Sequence, residues 1–182
     1  MAHAIFRVFL SSTFGDFQAE RERLRRDVWG RMEAWCAARG ASFQVVDLRW
    51  GITEDVALSH DTIKVCLDEV NRCQLLSPRP NFVMLLGDRY GWRPAPTVIP
   101  AEEFTLILTF FADNLDARNR LTSWYRLDEN AAPAEYVLLP REGEYAVNYE
   151  VWAQAEARLL LHLREAALAL GMTRERKKRY FF

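Results

Sequence analysis

Ile5-Phe6-Arg7-Val8-Phe9-Leu10-Ser11-Ser12-Thr13 is the stretch on which the fold turns. Ile5 to Leu10 is an apolar run rich in β-forming residues, and it stops at three consecutive hydroxyl side chains. Thr13 and Asp16 have the spacing of a capping box, with Asp in place of the usual Glu, which predicts a long helix over 14–39. Phe17, Leu24, Val28, Met32, Trp35 and Cys36 fall on one face of that helix, opposite the i,i+4 pairs Glu22/Arg26 and Asp27/Arg31. Gly40 suits the residue just past its end. A strand leading directly into an amphipathic helix is the first half of a βαβ unit, and the rest of the chain can be tested for its continuation.

The continuation is there. Phe43 to Leu48 reads as a second strand ending in Arg49, Trp50 and Gly51. Asp61 then stands at the cap of a helix in which Ile63, Cys66, Leu67 and Val70 recur at helical spacing, and Pro78 and Pro80 close it. Asn81 to Leu86 is a third strand, almost continuously apolar as in a sheet covered on both faces. Beyond it the sequence predicts an extended linker over 94–100, a helix over 101–117 and a loop over 124–133. A fourth strand or edge over 136–139 and a long helix over 147–170, ended by Gly171, follow. Arg179 to Phe182 reads as the start of another strand, so the expectation is a chain that stops before its last elements. The predicted fold class is α/β: a flavodoxin-like three-layer sandwich with a mainly parallel sheet, in a single domain over 1–182.

Composition bounds the function. A chain of 182 residues is long enough for one buried core. Its net charge of −1 gives no overall pull toward nucleic acid or an anionic membrane. The one strongly basic stretch, Arg174 to Arg179, reads as a solvated helix end. Cys36, Cys66 and Cys73 are odd in number and lack metal-ligand spacing, so free thiols in a reducing compartment and no metal are expected. The N-terminal apolar run is interrupted by Arg7 and lacks a cleavage site, and Phe104 to Phe111 is far too short to span a membrane. A cytoplasmic location follows as the expectation.

In open α/β sheets, ligands bind beyond the carboxyl ends of the strands, where strand order reverses. If strands 2 and 3 flank strand 1, the three following loops converge. They carry Ser11, Ser12 and Thr13; Asp47, Arg49 and Trp50; and Asp88, Arg89, Tyr90 and Trp92. Hydroxyls beside a helix start, arginines able to clamp an anion and aromatic rings able to stack suit a nucleotide-like ligand. The same residues also have a purely structural explanation: Asp47/Arg49 and Asp88/Arg89 as salt bridges, Trp50 and Trp92 as rim packing, and Ser12 and Thr13 as caps. No phosphate-binding glycine loop, dinucleotide fingerprint or nucleophile elbow is present. Glu102, Glu103 and Glu150 read as surface residues favoured by a helix N-terminus.

Longer motifs add a resemblance. Val8-Phe9-Leu10-Ser11-Ser12-Thr13-Phe14-Gly15-Asp16 resembles the opening of DUF4062-type domains, which belong to the wider TIR-like group. Val46-Asp47-Leu48-Arg49-Trp50-Gly51-Ile52, Cys66-Leu67-Asp68-Glu69-Val70 and Leu85-Leu86-Gly87-Asp88-Arg89-Tyr90-Gly91-Trp92 are similar to the N-terminal region of NACHT and WD-repeat proteins. The resemblance implies an interaction or signalling module of a STAND-type protein, placed before a NACHT ATPase and WD-repeat propellers. It implies protein partners or self-association, and no cofactor in this chain. The alternative it implies is an NAD- or nucleotide-hydrolysing TIR-like domain whose catalytic glutamate lies on a helix beyond residue 182. No catalytic residue is assigned within the chain.

Overall fold

The computed structural model describes residues 4–13, 15–48, 58–89 and 91–181. The chain packs as two compact units, Met1–Thr53 with Thr62–Trp92 and Glu54–Asp61 with Arg93–Phe182. The fold class is α/β, with one parallel sheet and one antiparallel sheet.

The first unit holds β1 (Ala4–Ser11), β2 (Ala41–Val46) and β3 (Phe82–Met84) in the order β2-β1-β3, all parallel. This is the order in which the two neighbours flank the first strand. Right-handed crossovers in opposite directions place their helices on opposite faces. Side chains agree. Phe43 of β2 packs against Trp29 of the first crossover at 5.9 Å, while Arg7 of β1 reaches Glu69 of the second crossover helix at 2.7 Å. That helix is α3 (Thr62–Leu76), with Cys73 fully buried.

The first crossover departs from the expected single α-helix. It runs as α1 (Gln18–Arg23), a π-helical segment (Leu24–Trp29) and α2 (Gly30–Ala37). One extra residue of winding turns everything beyond it by about 100°. Cys36 therefore moves to the centre of the buried face at 2 % exposure, while Trp35 swings out to 53 %. Trp35 and Met32, expected in the core, are exposed. The charge pairs shift as well: Glu22 bonds Arg25, and Asp27 takes Arg23 and Arg26. The capping box does not form. The helix starts after Phe17, which has φ 60°, and the Thr13 hydroxyl instead donates to the Asp16 carboxylate at 2.8 Å. Gly40, at φ 70°, ends the crossover as expected.

The second unit is built on an antiparallel sheet of order β4-β6-β5, from β4 (Val98–Pro100), β5 (Tyr125–Asp128) and β6 (Glu135–Leu138). Its helices are α4 (Ala101–Phe110), α5 (Leu115–Trp124), α6 (Glu144–Val147), α7 (Tyr149–Ala169) and α8 (Arg174–Phe181). Several expectations are corrected here. The linker over 94–100 ends in β4, and the loop over 124–133 starts on the last residue of α5 and contains β5. The helix over 101–117 is two helices, because Asn114 caps α5 by accepting from the Ala117 N–H at 3.1 Å. The fourth strand is the middle of this second sheet and does not extend the first. Residues 179–181 are helical, not a strand start: amphipathic packing wins, with Tyr180 buried in the core beside Leu163 and Trp152.

A histidine and two tyrosines bracket the stability of this unit. His60 lies 4.8 Å from the Trp152 ring with Nε2 3.0 Å from the Leu139 carbonyl oxygen, and burial pulls its pKa below 6.5. Burial pushes Tyr125 and Tyr180 above 10, with the Glu103 carboxylate adding to the rise at Tyr180. A depressed histidine contributes stability that is complete above about pH 6.5 and lost as pH falls, because the unfolded chain then binds the extra proton. A raised tyrosine contributes stability that is complete below about pH 10 and lost as pH rises. Hydrogen-exchange protection of the α7 amides, taken relative to the intrinsic rate at each pH, should therefore be greatest between these limits and fall on either side. His60→Gln should flatten the acid limb alone.

Candidate functional site

The three strand ends of the parallel sheet open into one crevice of about 700 Å³. Its polar wall is Ser11, Ser12 and Thr13 after β1, and Asp47 after β2; Arg89 and Trp92 come from the chain after β3. Ile63 and Cys66 of α3 with Met84 and Leu86 form an apolar wall opposite. Of the ten sequence-predicted residues, these six stand together. Asp88 is exposed and does not line the crevice. Arg49, Trp50 and Tyr90 lie outside the described residues.

The centre of the polar wall is a residue the sequence reading missed. Arg21, on α1, is only 7 % exposed. Its guanidinium donates to the Ser12 hydroxyl oxygen at 3.0 and 2.6 Å and pairs with the Asp47 carboxylate. The Ser12 hydroxyl in turn donates to the Thr13 carbonyl at 2.8 Å. One arginine thus ties the loop after β1 to the loop after β2, using the planar fork that lysine lacks. The only signal for it in the sequence was its helical phase, since Arg21 falls on the same face as Phe17, Leu24 and Val28. A second tie holds the third loop, where Asp16 accepts from Thr13 and pairs with Arg89 at 3.5 Å. Asp47 and Arg89 therefore find partners across loops, in Arg21 and Asp16.

Close approach also shapes the loops. A Cβ on Gly87 would lie 3.1 Å from the Phe17 ring, and one on Gly15 would lie 3.2 Å from the Arg89 guanidinium. Cys66, in the apolar wall, has its thiol pKa pushed up by burial, which keeps it a neutral thiol and a poor nucleophile at neutral pH. All three cysteines are free, and among the described residues no group of His, Cys, Asp or Glu is placed to hold a metal ion. Among the described residues no helix is long and apolar enough to cross a membrane.

Glu103, read from sequence as a surface residue, is 3 % exposed in the second unit. It accepts from Arg179 at 2.6 Å and from the Tyr180 hydroxyl, with Arg176 at 3.7 Å. It anchors α8 and has no place in the crevice.

The family model for a domain of unknown function, DUF4062, matches residues 7–105, more than half of the chain. The chain belongs to the DUF4062 family. The match takes in the whole crevice and stops inside α4. Among similar proteins, the mouse NACHT and WD repeat domain-containing protein 2 is 39 % identical over 136 residues, 74 % of this chain and 8 % of that protein. The human NACHT domain- and WD repeat-containing protein 1 is 40 % identical over 119 residues, 63 % of this chain and 7 % of its own length. The rat telomerase protein component 1 is 40 % identical over 94 residues, 52 % of this chain and 3 % of its own. This DUF4062 chain thus spans less than a tenth of the length of the curated relatives it matches. No solved structure matches it.

Proposed function

We propose that the chain is an interaction and signalling module of a NACHT and WD-repeat protein of the STAND type, acting in the cytoplasm as one TIR-like module over residues 1–182. The observation that carries this reading is the state of the crevice. Its central arginine is committed to Ser12 and Asp47 and its outer arginine to Asp16, while Met84, Leu86 and Trp92 are exposed at its mouth. Large apolar groups at a rim whose charges are already paired favour a protein surface as ligand. The relatives, whose names join NACHT and WD-repeat parts, support the setting in a longer chain.

A second reading is favoured by one observation: Trp92 and Arg89 line the same crevice as Ser12 and Thr13, in a volume that accepts a nucleotide. On that reading Ser12 and Arg89 position phosphate or ribose, and Trp92 stacks the base. Incubation with NAD separates the two. The interaction reading expects nicotinamide release to stay at the protein-free rate, and tryptophan fluorescence to stay flat on titration with NAD or ADP-ribose. Saturable quenching that Arg89→Ala removes, with the melting temperature unchanged, would establish the nucleotide site instead.

A further inference from the structure

β3 is an edge strand, with β1 on one side and no strand among the described residues on the other. Its backbone bonds fix which groups point outward. The Phe9 N–H donates to the Asn81 carbonyl at 3.0 Å and the Leu85 N–H to the Ser11 carbonyl at 2.9 Å. In a parallel pair, alternate residues face the same neighbour, so Asn81, Val83 and Leu85 face β1 while Phe82 and Met84 turn their N–H and C=O groups to the open edge. Side chains on the same stretch are equally unprotected: Phe82, Met84 and Leu86 are 38 %, 52 % and 77 % exposed. Native edge strands are ordinarily blunted by a charge, a proline or a cover. None of the residues from Phe82 to Gly87 is charged or a proline.

We propose that this edge is a self-pairing surface, on which two copies of the chain join β3 to β3 about a two-fold axis through Val83. The interaction reading above thereby gains a partner, a second copy. An antiparallel pair centred on Val83 sets Phe82 opposite Met84 of the other copy, and both residues are among those with outward backbone groups. The two parallel sheets become one of six strands, and the exposed apolar side chains meet across the seam. Charge favours the same direction. Exposed Arg79 stands before the strand and exposed Asp88 after it, so antiparallel pairing brings the basic end of each copy to the acidic end of the other. Arg89, the nearby like charge, is paired with Asp16. A parallel arrangement would set like charges together.

Sedimentation velocity on the whole chain tests this, with a concentration-dependent dimer as the expected result. Met84→Lys should weaken it at least tenfold, with an unchanged circular dichroism spectrum. Val83→Cys should form a disulfide-linked dimer under mild oxidation, because the residue on the axis meets its own copy at a Cα separation of about 4.5 Å. Arg79→Asp and Asp88→Arg should each weaken the dimer about two- to fivefold, as expected for exposed charge pairs, and the double exchange should restore it. The charge exchange lies outside the strand and reads out the interface even if a strand variant misfolds. A chain that stays monomeric at all concentrations overturns the proposal. So does a dimer that ignores Met84→Lys and the charge variants. Neither outcome touches the NAD result, so this inference and the reading it rests on fail separately.

Discussion

Arg21→Ala is expected to cost about 3–5 kcal/mol of stability, read as a fall in the urea midpoint at constant slope. The arginine is buried, and its removal takes a charged partner from the Asp47 carboxylate, itself largely buried. The Ser12 hydroxyl loses two donors in the same step. Replacing both partners by apolar residues of similar size, as in Arg21→Met with Asp47→Leu, should recover part of the loss, because the pair is then removed as a whole. Arg21→Lys should recover little, since a single ammonium cannot reach Ser12 and Asp47 in the same forked geometry. If Arg21→Ala melted like the parent chain, the pair would be incidental and the loops would be held by something else.

Glu103→Ala carries the second large effect, about 3 kcal/mol and confined to the second unit. The variant strands the Tyr180 hydroxyl in the core and frees Arg179 and Arg176. The carbonyl oxygens of Tyr180 and Phe181 remain held by Arg164 at 2.7 Å and Arg93 at 2.6 Å. α8 should therefore loosen, not leave, and the measurable sign is faster hydrogen exchange across Arg174–Phe181. Glu103→Gln keeps an acceptor for the tyrosine and should lose about half as much. Equal exchange rates in parent and Glu103→Ala would show that apolar packing of Tyr180 alone docks the helix.

The parts of the fold that were legible in the sequence are those set by period and punctuation. The runs Ile5 to Leu10 and Asn81 to Leu86 mark strands, and Gly40 and Gly171, both at positive φ, mark helix ends. The convergence of the three loops followed from strand order, which is why Ser12, Thr13, Asp47, Arg89 and Trp92 share a crevice. What escaped was decided by tertiary contacts. Arg21 and Glu103 sit in charged stretches that look solvated, and only their partners across the fold make them interior. The short strands of the second unit, Val98–Pro100 and Tyr125–Asp128, carry too few residues for a two-residue period to stand out. The π-helical segment leaves no compositional trace, yet it decides whether Trp35 or Cys36 faces the sheet.

That segment also bears on how such sequences are read against one another. A helix wound wide over Leu24–Trp29 accommodates one residue more than an ordinary helix spanning the same height. Within a set of related sequences, a one-residue gap placed there would be silent for the strands on either side. It would also leave the outer half of the helix in phase, because an ordinary helix of that height carries one residue fewer, and Cys36 would stay on the buried face. An ordinary helix of unchanged length is what would differ: it would bury the indole of Trp35 where this chain buries the thiol of Cys36.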